Sequence, residues 1–138
     1  MVQPLGNLLP FTYTLTTQNM VANGSDTQKI IFGVDSTFLL TEFLAYTSQD
    51  DPSDQNTPSN FTVNILDTTT GRNLMNAPLQ RALFAGKLAN FAQGERTIIE
   101  IPVNEQWQFN FVNLTASPLQ VFIGLKGYKK FGNLPFNF

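Results

Sequence analysis

The chain contains no cysteine and no histidine. Without cysteine there is no disulfide, no thiolate metal site and no sulfur nucleophile. Without histidine there is no imidazole base, no Ser-His-Asp triad and no histidine metal ligand. Charge is scarce as well: eight Lys plus Arg and ten Asp plus Glu make 13% of 138 residues, about half the usual share. A net charge of −2 leaves no basic footprint for nucleic acid or an anionic membrane. No stretch has the length of a membrane span, and no basic stretch followed by an apolar run opens the chain, so no signal peptide is expected. The expectation from these absences is a non-enzymatic protein with no cofactor, no metal, no nucleic-acid partner and no membrane partner.

What the chain does have is apolar mass and uncharged hydrogen-bonding groups. Thirteen Phe against three Tyr and one Trp fill a core or an interface without polar handles. Fourteen Asn and ten Gln carry the polar share. At 42% hydrophobic residues a chain of this length forms one domain and buries roughly 68–70% of its unfolded surface.

The hydrophobic pattern has period two almost throughout, the signature of half-buried strands. Phe11, Tyr13 and Leu15 alternate with threonines, and Asn23-Gly24-Ser25 marks a turn. Gln28 to Val34 places Ile30, Phe32 and Val34 on one face. Thr37 to Tyr46 is apolar on both faces, which predicts a central strand or one covered by another subunit. Residues 47–59 form a polar loop. Phe61, Val63 and Ile65 lead into the turn Asp67 to Gly71, Asn73 to Asn76 reads as irregular, and Pro78 to Phe84 as a short strand. Residues 86–94 read as a long loop over the sheet. Strands follow at Thr97 to Ile101, Gln106 to Leu114, and Leu119 to Leu125. About eight strands at this spacing predict an all-β fold, an antiparallel two-sheet sandwich of jelly-roll type. The expected core is Phe32, Val63, Ile99, Trp107, Phe109, Phe111, Val121 and Ile123.

Few motifs carry chemistry. Glu95, Glu100 and Glu105 recur every five residues and offer a carboxylate pair for glycoside hydrolysis. Strand ends and a polar strand face explain them more simply. Asp50, Asp51 and Asp54 offer oxygens to a hard cation, but their spacing lacks the alternation of a calcium loop and reads as a solvated tip. Gly86-Lys87 lacks the glycine of a phosphate loop. Trp107 shares a face with Phe109 and Phe111, which favours core over a sugar-stacking platform. The three Asn-x-Ser/Thr sequons, at Asn23, Asn60 and Asn113, read as chance in an Asn- and Thr-rich chain. Lys126, Lys129 and Lys130 surround Tyr128 as a small basic cluster: a solvated strand end, or a patch for an acidic protein surface.

The segments DTTTGRNLMNAPLQ, ALFAGKLANF, TIIEIP and WQFNFVNLTASPLQVFIGLKGYKKF resemble the small jelly-roll structural proteins of tailed-phage virions, the head decoration or cement proteins and related minor components. The resemblance covers roughly residues 28–130, and its motifs are structural. It implies a location on the virion, most simply on the head surface, while the segment Thr37 to Tyr46, apolar on both faces, predicts a homo-oligomer, dimer or trimer. Its partners would be the major capsid protein or another virion protein. The same fold also suits a carbohydrate- or receptor-binding module of a fibre or tail. Residues 1–10 and 131–138 flank a sandwich at 11–130 as apolar, uncharged arms. The expected interface is Leu5, Leu8, Leu9, Phe131, Leu134, Phe136 and Phe138, with Lys126, Lys129 and Lys130.

Overall fold

The computed structural model describes residues 8–50, 60–81, 84 and 98–131. It is all-β. Nine strands follow in chain order: β1 (Leu8–Thr16), β2 (Ser25–Ile31), β3 (Thr37–Thr47), β4 (Phe61–Asp67), β5 (Arg72–Asn73), β6 (Leu79–Gln80), β7 (Ile99–Ile101), β8 (Gln106–Asn113) and β9 (Val121–Lys130). One sheet has the order β1-β9-β3-β7; the other runs β2-β8-β4-β5, with β6 also on β4. Every pairing is antiparallel. The pairs β1–β9, β2–β8, β3–β7 and β4–β5/β6 nest inside one another, as when a long hairpin ribbon is wound into two layers. That order is consistent with a jelly roll.

The two layers meet through the alternate residues that period two selects. Phe61, Val63 and Ile65 of β4, Trp107, Phe109 and Phe111 of β8, and Val121, Ile123 and Leu125 of β9 are all buried. Rings bridge the sheets: Phe32 stands 5.2 Å from Trp107, 5.9 Å from Phe38 and 4.9 Å from Tyr13. Each such side chain contributes roughly 1.5–3 kcal/mol by leaving water. Seven of the eight expected core residues are buried, and Ile99 is half-buried against them. At 3% exposure Trp107 is core and not a surface platform.

Strand β3 explains why its sequence looks apolar on both faces. Leu40 pairs with Gly127 but Glu42 pairs with Lys126, so Thr41 is one residue too many for the ladder. This β-bulge reverses the alternation. Phe38 and Leu40 point inward before it, and Phe43 after it; Leu39, Glu42, Leu44 and Tyr46 lie on the other face. Thr41 Oγ1 donates to the Lys126 carbonyl (3.0 Å), occupying that acceptor at the irregular site. The bulge also brings the β3 backbone onto Gly127, where a Cβ would come within 1.9 Å of the Leu39 carbonyl oxygen.

Several boundaries differ from the sequence reading. β1 begins at Leu8, not at Phe11, pairing Leu8, Leu9 and Pro10 with Lys130, Lys129 and Tyr128. Pro10 is tolerated because β1 is an edge strand. β2 ends at Ile31, and Val34 lies exposed in a bend instead of joining Ile30 and Phe32. The strand expected over Pro78 to Phe84 shrinks to β6, with Arg81 and Phe84 in helical conformation. In the turn after Met20 the left-handed residue is Asn23 (φ 57°). The loop expected at 86–94, Asp51 and Asp54 of the polar loop, and Leu5, Leu134, Phe136 and Phe138 of the arms lie outside the described residues.

Candidate functional site

The outer face of the β1-β9-β3-β7 sheet carries exposed aromatic and aliphatic side chains from β3 and β9. Pairing register sets it out in rows: Thr16, Phe122 and Tyr46; Thr14, Gly124 and Leu44; Thr12, Lys126 and Glu42; Pro10, Tyr128 and Leu39. Tyr46 is 50% exposed, Tyr128 41%, Leu44 40% and Phe122 37%. The rings of Tyr46 and Phe122 lie 6.1 Å apart, so they form one patch. Lys126 and Glu42 sit directly opposite each other and leave the middle of the face without net charge.

The lysines divide between the two faces. Lys126 and Lys130 share the outer face with Tyr128. Lys129 alternates to the other side, where its Nζ lies 4.1 Å from the centroid of Phe11 and 5.8 Å from that of Tyr13. It is engaged within its own sheet as a cation over aromatic rings. Leu8 and Leu9 belong to β1, half-buried and exposed respectively, and Phe131 is half-buried just after β9. Because Leu8 pairs with Lys130, both ends of the described chain leave the sandwich at the same corner.

At the end of β3 the structure contains a buried ion pair. Arg81 donates to both carboxylate oxygens of Asp50 (2.6 Å each), to Asn60 Oδ1 (3.3 Å) and to the Ala45 carbonyl (3.3 Å). Thr47 donates to the same carboxylate through N and Oγ1 (3.1 and 2.8 Å). Burial alone would push the Asp50 carboxyl up, but the hydrogen bonds from Arg81 and Thr47 and the guanidinium charge hold it below its ordinary value. Asp50 is thus a structural anchor, not part of a solvated tip. Among the described residues, no group of three or more metal-ligating side chains comes together.

Two sequons are absorbed by structure. Asn60 is buried and donates to Thr47 Oγ1 (2.9 Å). Asn113 is fully buried, donates to the carbonyls of Met20, Val21 and Ser117, and accepts from Thr115 N and Oγ1. Asn23 is exposed.

A cavity of about 330 Å³ opens beside β4, β5 and β7, with Asp67, Arg72, Glu100, Glu105, Met75 and Trp107 among its lining. Asp67 Oδ1 accepts from the backbone N–H groups of Thr69 (3.0 Å) and Thr70 (3.2 Å), which forms the turn closed by Gly71 at φ 76°. Thr68 and Thr69 stitch that turn to Gln106, which brings Glu105 against Asp67. Glu105 is only 7% exposed, and its Oε2 has no hydrogen-bond partner. Burial pushes its carboxyl up, the hydrogen bond and negative charge of Asp67 push the same way, and Thr69 and Arg72 offset only part.

Of the three glutamates spaced by five, Glu95 lies outside the described residues, Glu100 is exposed on β7, and Glu105 finds its carboxyl partner in Asp67. The sequence reading missed both Asp67 and Arg81. The Asp67-Thr-Thr-Thr-Gly71 turn was visible, but nothing in it points to Glu105. No protein-family model matches the chain, and no curated protein matches it.

Proposed function

We propose that this protein is a non-enzymatic structural subunit that works through multi-copy protein contacts, a decoration or cement protein on the shell of a phage head. Its partners in this reading are further copies of itself, as a dimer or trimer, and the major capsid protein or another virion protein. The observation that carries the reading is the outer sheet face, where Leu39, Leu44, Tyr46, Phe122 and Tyr128 spread over the neighbouring strands β3 and β9, with Lys126 opposite Glu42 at the centre. Exposed aromatic and aliphatic side chains on either side of a charge-balanced row suit an association surface. The pairing of Leu8 with Lys130, which sets both ends of the described chain at one corner, supports the reading further.

Light scattering at tens of micromolar and co-sedimentation with assembled shells test this. The expected result is an oligomer that pellets with shells, reduced to a folded monomer by Tyr46→Glu with Phe122→Ser. Deleting residues 131–138 should weaken attachment and leave the sandwich folded. A wild-type monomer that stays in the supernatant would overturn the proposal.

A second reading, a carbohydrate-binding module, rests on exposed Tyr128. It borders a shallow concavity of about 380 Å³ lined also by Pro10, Thr12, Thr41 and Lys126. Glycan binding lost in Tyr128→Ala, with assembly unchanged, would favour it.

A further inference from the structure

We propose that two copies of this chain pair through the outer face of the β1-β9-β3-β7 sheet, about a two-fold axis that lies between β3 and β9 and runs along them. The inference rests on the reading of that face as an association surface, and it assigns the occupant, a second copy, together with its register. Pairing and charge carry it. Across β3 and β9 the rows are Tyr46 with Phe122, Leu44 with Gly124, Glu42 with Lys126, and Leu39 with Tyr128. A two-fold interface is isologous: where one residue meets a second on the other copy, the second meets the first. An axis along the strands exchanges the two columns, so Lys126 faces the partner's Glu42 and Glu42 faces the partner's Lys126. An axis across the strands through the same row would set Lys126 on the partner's Lys126 and Glu42 on the partner's Glu42, where like charges repel.

Both charges are open to such a contact. Lys126 and Glu42 are exposed, and among the described residues the ion pair that closes is Arg81–Asp50 and not theirs. The other rows fit the same axis. Tyr46 comes against the partner's Phe122, which enlarges the pair of rings 6.1 Å apart into a cluster of four. Leu44 comes over the partner's Gly124, the one position in these rows without a side chain, in a slot flanked by Leu44 and Thr12. Leu39 meets the partner's Tyr128, and Glu100, beside Leu39 on β7, falls over the partner's uncharged Pro10. Facing sheets whose strands lie within about 30° of each other pack in this aligned way. Three strands of about nine residues give a face of about 15 by 30 Å. A pair then buries about 900 Å², the size of a weak, reversible dimer.

Sedimentation from about ten to several hundred micromolar reads the association, the range in which so small an interface dissociates. The expected result is a wild-type dimer, weakened about tenfold or more in Glu42→Lys and in Lys126→Glu. Mixing these two variants should restore it as a heterodimer, because both contacts between copies again join opposite charges while each chain still carries like charges side by side. Native mass spectrometry with one variant isotope-labelled distinguishes heterodimer from homodimer, and thermal melting checks that both variants are folded. Should either reversal not fold, the double variant Glu42→Lys with Lys126→Glu carries the test: it should dimerise with itself and not with the wild type. A wild-type monomer, reversals that dimerise as the wild type does, or a mixture without heterodimer would each overturn the proposal. A monomer that still pellets with shells would do so and leave the decoration reading standing. A dimer that shows the expected exchange but stays in the supernatant would uphold the pairing and remove the shell from the reading.

Discussion

Replacing Arg81 with methionine tests whether the buried ion pair holds the end of the sandwich together. The side chain is 5% exposed and that of its partner Asp50 is 13% exposed. Methionine keeps much of the length and apolar bulk over Phe61, whose ring centroid lies 5.9 Å from the guanidinium carbon. It removes both 2.6 Å bonds to Asp50 and the donors to Asn60 and Ala45. Among the described residues, the Asp50 carboxylate would keep Thr47 N and Oγ1 as donors. Breaking one side of a buried pair costs about 3–5 kcal/mol, mostly through the charge left behind. With a urea slope of about 2 kcal/mol/M, the unfolding midpoint should fall by about 2 M with the slope unchanged. Adding Asp50→Asn removes the stranded charge while keeping an acceptor for Thr47. The double variant should therefore regain part of the loss, a coupling of about 1–3 kcal/mol.

The pH dependence gives an independent check. Asp50 has a folded value below its unfolded one, so its contribution is present above about pH 4 and is lost as pH falls through the lowered folded value. That acid-side loss should shrink in Arg81→Met. A loss of less than about 1 kcal/mol, with the acid limb unchanged, would refute the reasoning, since it matches an exposed pair.

Three further outcomes follow from the packing. Glu105 has the opposite sign to Asp50: its folded value is raised, so stability is lost as pH rises through that value. Melting curves of Glu105→Gln should lack this fall and show a gain over the wild type on the alkaline side. Gly127→Ala should destabilise by about 1–3 kcal/mol or more in denaturant unfolding, because its Cβ meets the Leu39 carbonyl at 1.9 Å, a backbone atom that cannot rotate away. Asn113→Ala strips five hydrogen bonds from the turn at residues 113–117 and the segment at Met20 and Val21. Orphaned buried carbonyls cost about 1–3 kcal/mol, which calorimetric melting should register.

The strands were legible wherever one face is buried and the other wet. β1, β4, β8 and β9 each show several alternations, and those alternations mark their faces correctly. β5 and β6 have two residues each, too few for any period to register, so the sequence around them read as irregular on one side and as a longer strand on the other. The two polar pairs were illegible for a different reason. Arg81 and Asp50 are 31 residues apart, and Asp67 at the end of β4 and Glu105 just before β8 meet only through the fold. No local spacing rule connects such residues. Each looked like an ordinary loop or strand-end charge until the sheets brought them together.

β3 is where local reading and tertiary structure diverge most. Uninterrupted alternation from Phe38 and Leu40 would send Glu42, Leu44 and Tyr46 into the core and Phe43 and Thr47 outward. The extra residue at Thr41 exchanges these sets. A buried unpaired carboxylate is far more costly than an exposed Leu or Tyr, so the exchange favours the fold even though it leaves Leu44 and Tyr46 in water. It also turns Thr47 inward, where its hydroxyl bonds Asp50 and Asn60 beside Arg81. The same bulge therefore builds the buried ion-pair network and the apolar outer face. That face is a consequence of specified register and not of loose patterning, which is why it is the surface on which association is proposed.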